Sequence, residues 1–141
     1  RQVSNVASTR GYIKTLLGRK RRFDKWEPRD SWGERAYSLS EAHAQYPKQE
    51  LKRAYTHTAM NALIQGSSAD ITKAAMVKIY EAGLLDEIDL KLTVHDELDF
   101  SVEPLKQKCF DESLQIMKTC VDLKVPLKVD VEKGLNWGTI E

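Results

Sequence analysis

The sequence predicts an α+β fold, with an acidic antiparallel hairpin packed against a long helix and a second amphipathic helix, preceded by a basic hairpin near the N-terminus. Three observations predict it. Apolar and polar residues alternate through residues 90–102, the signature of strands with one buried face. Apolar residues recur at helical spacing through residues 48–82 and again through 105–121. Residues 12–16 and 19–23 flank Leu17-Gly18, where glycine can take the positive φ of a tight turn.

In chain order, residues 1–10 have only Val3, Val6 and Ala7 as apolar points and read as the last turns of a helix ending near Gly11. Because the chain starts with Arg1 on a helix already under way, it is expected to be a processed or partial product of something longer. Residues 24–47, with Pro28, Gly33, Pro47 and scattered Trp26, Trp32, Tyr37 and Tyr46, show no clean period and are expected to form a long loop or short helical pieces. From residue 48 to 82, Met60, Ile64, Ile71, Ala75 and Ile79 fall near one helical face, and the helix stops at Gly83. Pro104 suits a first helical position and opens a helix over 105–121, with Leu105, Cys109, Ile116 and Cys120 along its apolar face. Val125, Leu127, Val129 and Val131 then alternate as a final strand.

A single strand through residues 90–102 would turn Asp96 into the apolar face, where an unpaired carboxylate is costly. Two strands joined at His95-Asp96-Glu97 avoid that cost. Parity favours a three-residue loop, which sets Val94 opposite Leu98, Leu92 opposite Phe100 and Leu90 opposite Val102, with the acidic tip presented to solvent.

At 141 residues the chain is one domain's worth, with 22 Lys/Arg against 21 Asp/Glu. The charge is uneven: residues 1–35 hold ten basic and four acidic side chains, whereas residues 84–141 hold seven and thirteen. One end suits phosphates and the other suits cations. No apolar run approaches the ~20 residues of a membrane span, and the N-terminus lacks a signal-peptide pattern, so neither a membrane partner nor export is expected. Cys109 and Cys120 lack the paired spacing of a zinc site and read as reduced core thiols. His43, His57 and His95 contain no H-x-x-x-H pair, which argues against a helix-borne zinc hydrolase site.

Two other groups stand out. Arg19, Lys20, Arg21 and Arg22 are consecutive, so in a strand they point to both faces. They read either as a solvated edge that blocks strand pairing or as phosphate contacts. His57, Asn61 and Gln65 recur every four residues as a polar stripe. Gly66, which follows, costs about 1 kcal/mol against alanine in a helix interior. Its advantage is a side-chain-free patch that another backbone or a ligand can approach; the plainer reading is a solvent-facing stripe with a tolerated glycine.

Four motifs, in order, carry a resemblance. Gly11-Tyr12-Ile13-Lys14-Thr15-Leu16-Leu17-Gly18-Arg19-Lys20-Arg21 resembles the basic hairpin that follows the fingers helices of family A DNA polymerases, the bacterial DNA polymerase I and podophage replicase type. Asn61-Ala62-Leu63-Ile64-Gln65-Gly66-Ser67-Ser68-Ala69-Asp70-Ile71 resembles that family's N-x-x-x-Q-G-[TS]-[AS]-A-D helix. Val94-His95-Asp96-Glu97-Leu98 is similar to the third polymerase motif of the palm, and Gly134-Leu135-Asn136-Trp137 to the closing G-x-N-W. The resemblance covers nearly the whole chain.

The resemblance implies template-directed DNA synthesis in DNA replication, with residues 1–47 as the C-terminal part of the fingers region and residues 48–141 as the C-terminal part of the palm. Asp96 would be the metal-bridging catalytic aspartate, Glu97 a supporting group at the metal's edge, and His95 a neighbour of the primer terminus. Asn61 and Gln65 would donate to minor-groove acceptors that every base pair presents. His57 stands where the family often has Arg, a departure that leaves its DNA-contact role open. Arg19, Lys20, Arg21 and Arg22 would hold backbone phosphates. The implied cofactor is Mg²⁺, two ions shared with an upstream palm segment. The implied partners are primer-template DNA, deoxynucleoside triphosphates and that upstream polymerase segment, in the cytoplasm of a bacterium or a phage-infected host cell.

In the family pattern the other catalytic aspartate, and the triphosphate-binding Lys and Arg of the fingers, precede the position of Arg1. One carboxylate centre cannot organise two metals, so these 141 residues alone are expected to be inactive and to expose an apolar sheet edge. The alternative is a catalytically inactive DNA-binding or interaction fragment of a split or truncated polymerase.

Overall fold

Residues 2–30 and 34–140 are described by a computed structural model of the protein. Trp32 and Gly33, part of the expected loop, lie outside the described residues. The chain divides into two units, Arg1–Asp70 and Ile71–Glu141, each described by itself.

In the first unit, α1 (Gln2–Arg10) ends at Gly11, as its residue pattern predicts. It leads into β1 (Tyr12–Lys14), which pairs antiparallel with β2 (Lys20–Arg22) through Tyr12↔Arg22, Ile13↔Arg21 and Lys14↔Lys20. The ladder continues into the loop, where the Thr15 amide donates to the Arg19 carbonyl at 2.9 Å. Gly18 takes the positive φ, 88°, that the reversal needs. Ile13 and Phe23 turn inward and join Ala7 and Ala59 in a buried cluster, with Val3, Ala62 and Leu63 packed against it. The strands are thus held by their apolar positions, and Lys14, Lys20, Arg21 and Arg22 are left on the surface.

The stretch without a clean period is more ordered than its sequence suggests. β3 (Trp26–Pro28) pairs antiparallel with β4 (Leu51–Arg53), and the Arg53 guanidinium lies 4.5 Å from the Trp26 ring centroid. Between them, α2 (Leu39–Gln45) begins where the Glu41 carboxylate accepts from the Ser38 amide at 3.1 Å and from its hydroxyl at 2.7 Å. The long helix expected from residue 48 starts later. Residues 51–53 find a ladder partner in β3, and Tyr55 sits in the left-handed region at φ 62°, which an α-helix cannot pass through. A 3₁₀ turn, Thr56–Thr58, then leads into α3 (Ala59–Glu81).

The second unit takes up α3 at Ile71. Beyond Gly83 (φ 71°) and a 3₁₀ turn over Leu84–Asp86, β5 (Asp89–Val94) pairs antiparallel with β6 (Glu97–Ser101). Ala75, Ile79, Leu84 and Ile88 are buried. Pro104 opens a 3₁₀ turn, Pro104–Lys106, from which α4 (Gln107–Thr119) runs, and Phe110 meets Phe100 edge-on at 6.0 Å. Both cysteines are free; Cys120 is buried, and burial pushes its thiol pKa up.

The second unit departs from its sequence pattern at the hairpin loop and at residues 125–131. The hairpin loop has two residues, not three: Val94 faces Glu97 and Thr93 faces Leu98. A register shift between Leu90 and Leu92 then restores parity, bringing Leu90 opposite Phe100. As a result Leu92 and Val94 lie across from Asp99 and Glu97 and stay 42% and 39% exposed. Residues 125–131 form no strand, because alternation alone does not supply a ladder partner and Pro126 withholds a ladder N–H. The described strands pair off in three two-stranded sheets. The α+β reading stands as a mixture of helices and small antiparallel hairpins. Among the described residues, no helix is long and apolar enough to cross a membrane.

Candidate functional site

In the first unit, the loop of the basic hairpin is tied to α3. The Leu16 amide donates to Ser67 Oγ at 3.0 Å and the Leu17 amide to Asp70 Oδ2 at 3.2 Å. Arg19 donates from Nε to Asp70 Oδ1 at 3.0 Å and from Nη2 to the Gly66 carbonyl at 2.8 Å. A Cβ on Gly66 would sit 2.6 Å from Thr15 Cγ2, so the side-chain-free patch legible in the sequence receives the hairpin's own Thr15.

Asp70 is only 6% exposed. Burial alone pushes its pKa up, but hydrogen bonds involving Thr15, the Leu17 amide and Arg19, together with the Arg19 charge, hold the carboxyl below the usual aspartate value. In the sequence Asp70 stands within the N-x-x-x-Q-G-[TS]-[AS]-A-D motif with no role attached to it. The available signal is its spacing, four residues after Gly66 and so on the same helical face.

Lys20, Arg21 and Arg22 are exposed along β2. Lys20 Nζ lies 5.0 Å from the Tyr12 ring centroid, and the Arg21 guanidinium 5.8 Å from that of Phe23, so both cationic ends sit over aromatic rings. Asn61 and Gln65 are exposed one turn apart on α3. His57 is exposed too, but on the 3₁₀ turn before the helix, so the helical stripe proper consists of the two amides.

In the second unit, His95 and Asp96 form the two-residue turn and Glu97 is the first residue of β6. His95 takes a left-handed φ of 53°, uncommon for a non-glycine residue but usual at the first position of a tight hairpin turn. All three side chains are exposed, and none bonds to a described residue. Among the described residues, no cluster of three His, Cys, Asp or Glu is arranged to hold a metal ion. Asp96 and Glu97 still fit a Mg²⁺ site in kind, since that ion commonly takes one or two carboxylates and fills its other positions with water and phosphate oxygens. Further along, Asn136 caps a 3₁₀ turn, Trp137–Thr139, by accepting from the Gly138 amide at 3.0 Å.

The sequence pattern of DNA polymerase family A matches residues 1–139. The chain belongs to DNA polymerase family A. This family A chain is 44% identical over 128 residues to a DNA-directed DNA polymerase of Pseudomonas phage M6, covering 91% of the chain and 15% of the phage protein. It is 32% identical over 142 residues to DNA polymerase I of Rhizobium leguminosarum, covering 94% of the chain and 12% of that enzyme. Its structure resembles the POL domain of Pol1 from M. smegmatis, solved in complex with DNA primer-template and dNTP, with a TM-score of 0.71 and 32% identity over 99% of this chain and 22% of that one. The chain therefore spans a small fraction of the length of the family A relatives it matches.

Proposed function

We propose that the chain is a palm and adjoining fingers segment, C-terminal in its enzyme, that takes part in template-directed DNA synthesis when joined to or assembled with an upstream polymerase segment. Residues 1–47 belong to the fingers and residues 48–141 to the palm. The observation that carries this reading is the exposed two-residue turn that presents Asp96 with no hydrogen bond or ion pair to a described residue. Family membership supports it, as does the likeness to a polymerase domain in complex with primer-template and dNTP.

The chain's own residues divide the work. Lys20, Arg21 and Arg22 hold the DNA backbone without regard to sequence. Asn61 and Gln65 donate to minor-groove acceptors common to all base pairs, and His57 extends that contact toward the start of α3. Asp96 and Glu97 would hold Mg²⁺, which, with a carboxylate from the upstream segment, supplies activation of the primer 3′-hydroxyl and neutralises the triphosphate. His95 flanks the primer terminus.

Primer extension tests the proposal, using the 141-residue chain alone and mixed with a separately produced upstream polymerase segment. No incorporation is expected from the chain alone. Mixing should restore extension, and Asp96→Ala should abolish it. DNA binding without rescue would favour a non-catalytic DNA-binding fragment. Asp96-dependent incorporation by the chain alone would refute the need for a second segment.

A further inference from the structure

Three residues within one turn or so of α3, Gly66, Ser67 and Asp70, receive four hydrogen bonds from the hairpin loop across 47 to 53 residues of sequence. Asp70 takes two of these four, one on each carboxylate oxygen, and the Thr15 side chain interacts with the same carboxylate. Gln65, half of the amide stripe, immediately precedes Gly66. The place where the hairpin is fastened is therefore beside the amides, and the fastening sets the spacing between the basic edge and the stripe. That spacing matters for a duplex, in which phosphates and minor-groove acceptors sit at fixed separations and phosphate contacts set the protein's register.

Arg19 is spent on this fastening. Its Nε and Nη2 are committed to Asp70 and Gly66, and the ionised Asp70 at 3.0 Å offsets its charge. A phosphate drawn to Arg19 would bring like charge toward that carboxylate. Among the described residues, Lys20, Arg21 and Arg22 carry no such partner.

We propose that Asp70 is the positioning residue of the DNA interface, fixing the basic hairpin to α3 through Arg19 and the Leu17 amide, so that Lys20, Arg21 and Arg22, and not Arg19, make the phosphate contacts. The inference rests on the DNA-binding reading above and assigns a function to a side chain that touches no DNA itself.

Its test is equilibrium binding of a fluorescein-labelled primer-template duplex to the 141-residue chain across a salt series. Arg21→Gln should make the plot of log affinity against log salt shallower by about 0.9, the value of one phosphate contact on duplex DNA. Arg19→Gln should weaken binding and leave that slope unchanged. Asp70→Asn should weaken binding roughly tenfold, the scale of one charge-assisted hydrogen bond, although it removes a negative charge from a DNA-binding surface. The sign is decisive, because a carboxylate with no positioning role would repel DNA, and its neutralisation would tighten binding. Arg19→Gln/Asp70→Asn should be no weaker than the weaker single variant. Equal or tighter binding by Asp70→Asn overturns the inference, as does a slope change in Arg19→Gln matching that of Arg21→Gln. The Arg19→Gln slope decides alone should Asp70→Asn fail to fold. Failure of the unsubstituted chain to bind the duplex at all would instead overturn the DNA-binding reading, and this inference with it.

Discussion

The two hairpins that carry the candidate site residues differ in what holds their turns. The basic β1–β2 loop is fastened to α3 by Leu16, Leu17 and Arg19, and its reversal uses Gly18, for which a positive φ carries little penalty. The acidic β5–β6 turn rests on its own ladder and puts the non-glycine His95 at φ 53°. A surface that must match the repeat of a duplex needs its orientation set by distant parts of the chain. A carboxylate that must reach out to an ion needs only a short, well-paired turn. The first is a tertiary property and the second a local one, so substitutions should affect them differently.

The largest effect is expected at the fastened hairpin. Asp70→Ala leaves the Leu17 amide and Arg19 Nε without their acceptor and should cost about 2 kcal/mol in denaturant unfolding. A self-supporting hairpin would lose no more than the ~0.5 kcal/mol of an ordinary surface change. The pH dependence has a definite sign. Because the folded pKa of Asp70 is lowered, its stabilisation is fully present above the ordinary aspartate value and is lost as pH falls from there through the folded value. The gap between the unsubstituted chain and Asp70→Ala should therefore close on acidification below about pH 4 and stay constant above it.

A smaller effect is expected at Gly66. Alanine there gains about 1 kcal/mol of helix propensity, yet its Cβ would lie 2.6 Å from Thr15 Cγ2, a stiff β-branched group on a buried residue. Overpacking of this kind costs about 1–3 kcal/mol, so a net loss near 1 kcal/mol is expected. Thr15→Ser removes the obstructing methyl. Gly66→Ala/Thr15→Ser should then be more stable than Gly66→Ala, and a thermal melt that shows no such recovery would mean the hairpin does not rest on this face.

The same contrast explains what the sequence made legible. Tyr12 to Phe23 reads as a hairpin because its turn glycine and alternation are local signals, and α1 and the end of α3 were legible for the same reason. The register of residues 90–102 was not, since alternation fixes faces only if no residue is inserted, and the shift between Leu90 and Leu92 changes the parity. β4 was hidden inside an apparent helix because its partner, β3, lies more than twenty residues away in a stretch with no period. For the site, Asp96 and Glu97 could be singled out as an acidic pair on an exposed turn. Asp70 could not, because its value comes from Leu17 and Arg19, 53 and 51 residues away.

The smallest expected effect, and the one with the opposite sign, lies at His95. A left-handed conformation costs an ordinary L-residue about 1–2 kcal/mol, and glycine escapes that cost. Part of the gain is returned because glycine makes the unfolded chain more flexible. His95→Gly should therefore stabilise the chain by about 0.5 kcal/mol. Since no described residue outside the ladder bonds to the turn's side chains, the change should appear as slower amide exchange within β5 and β6, leaving the Leu16 and Leu17 amides of the other hairpin as they were. A destabilised His95→Gly would mean that the imidazole makes a contact worth more than its strain, and the acidic turn would then be held in place as the basic one is.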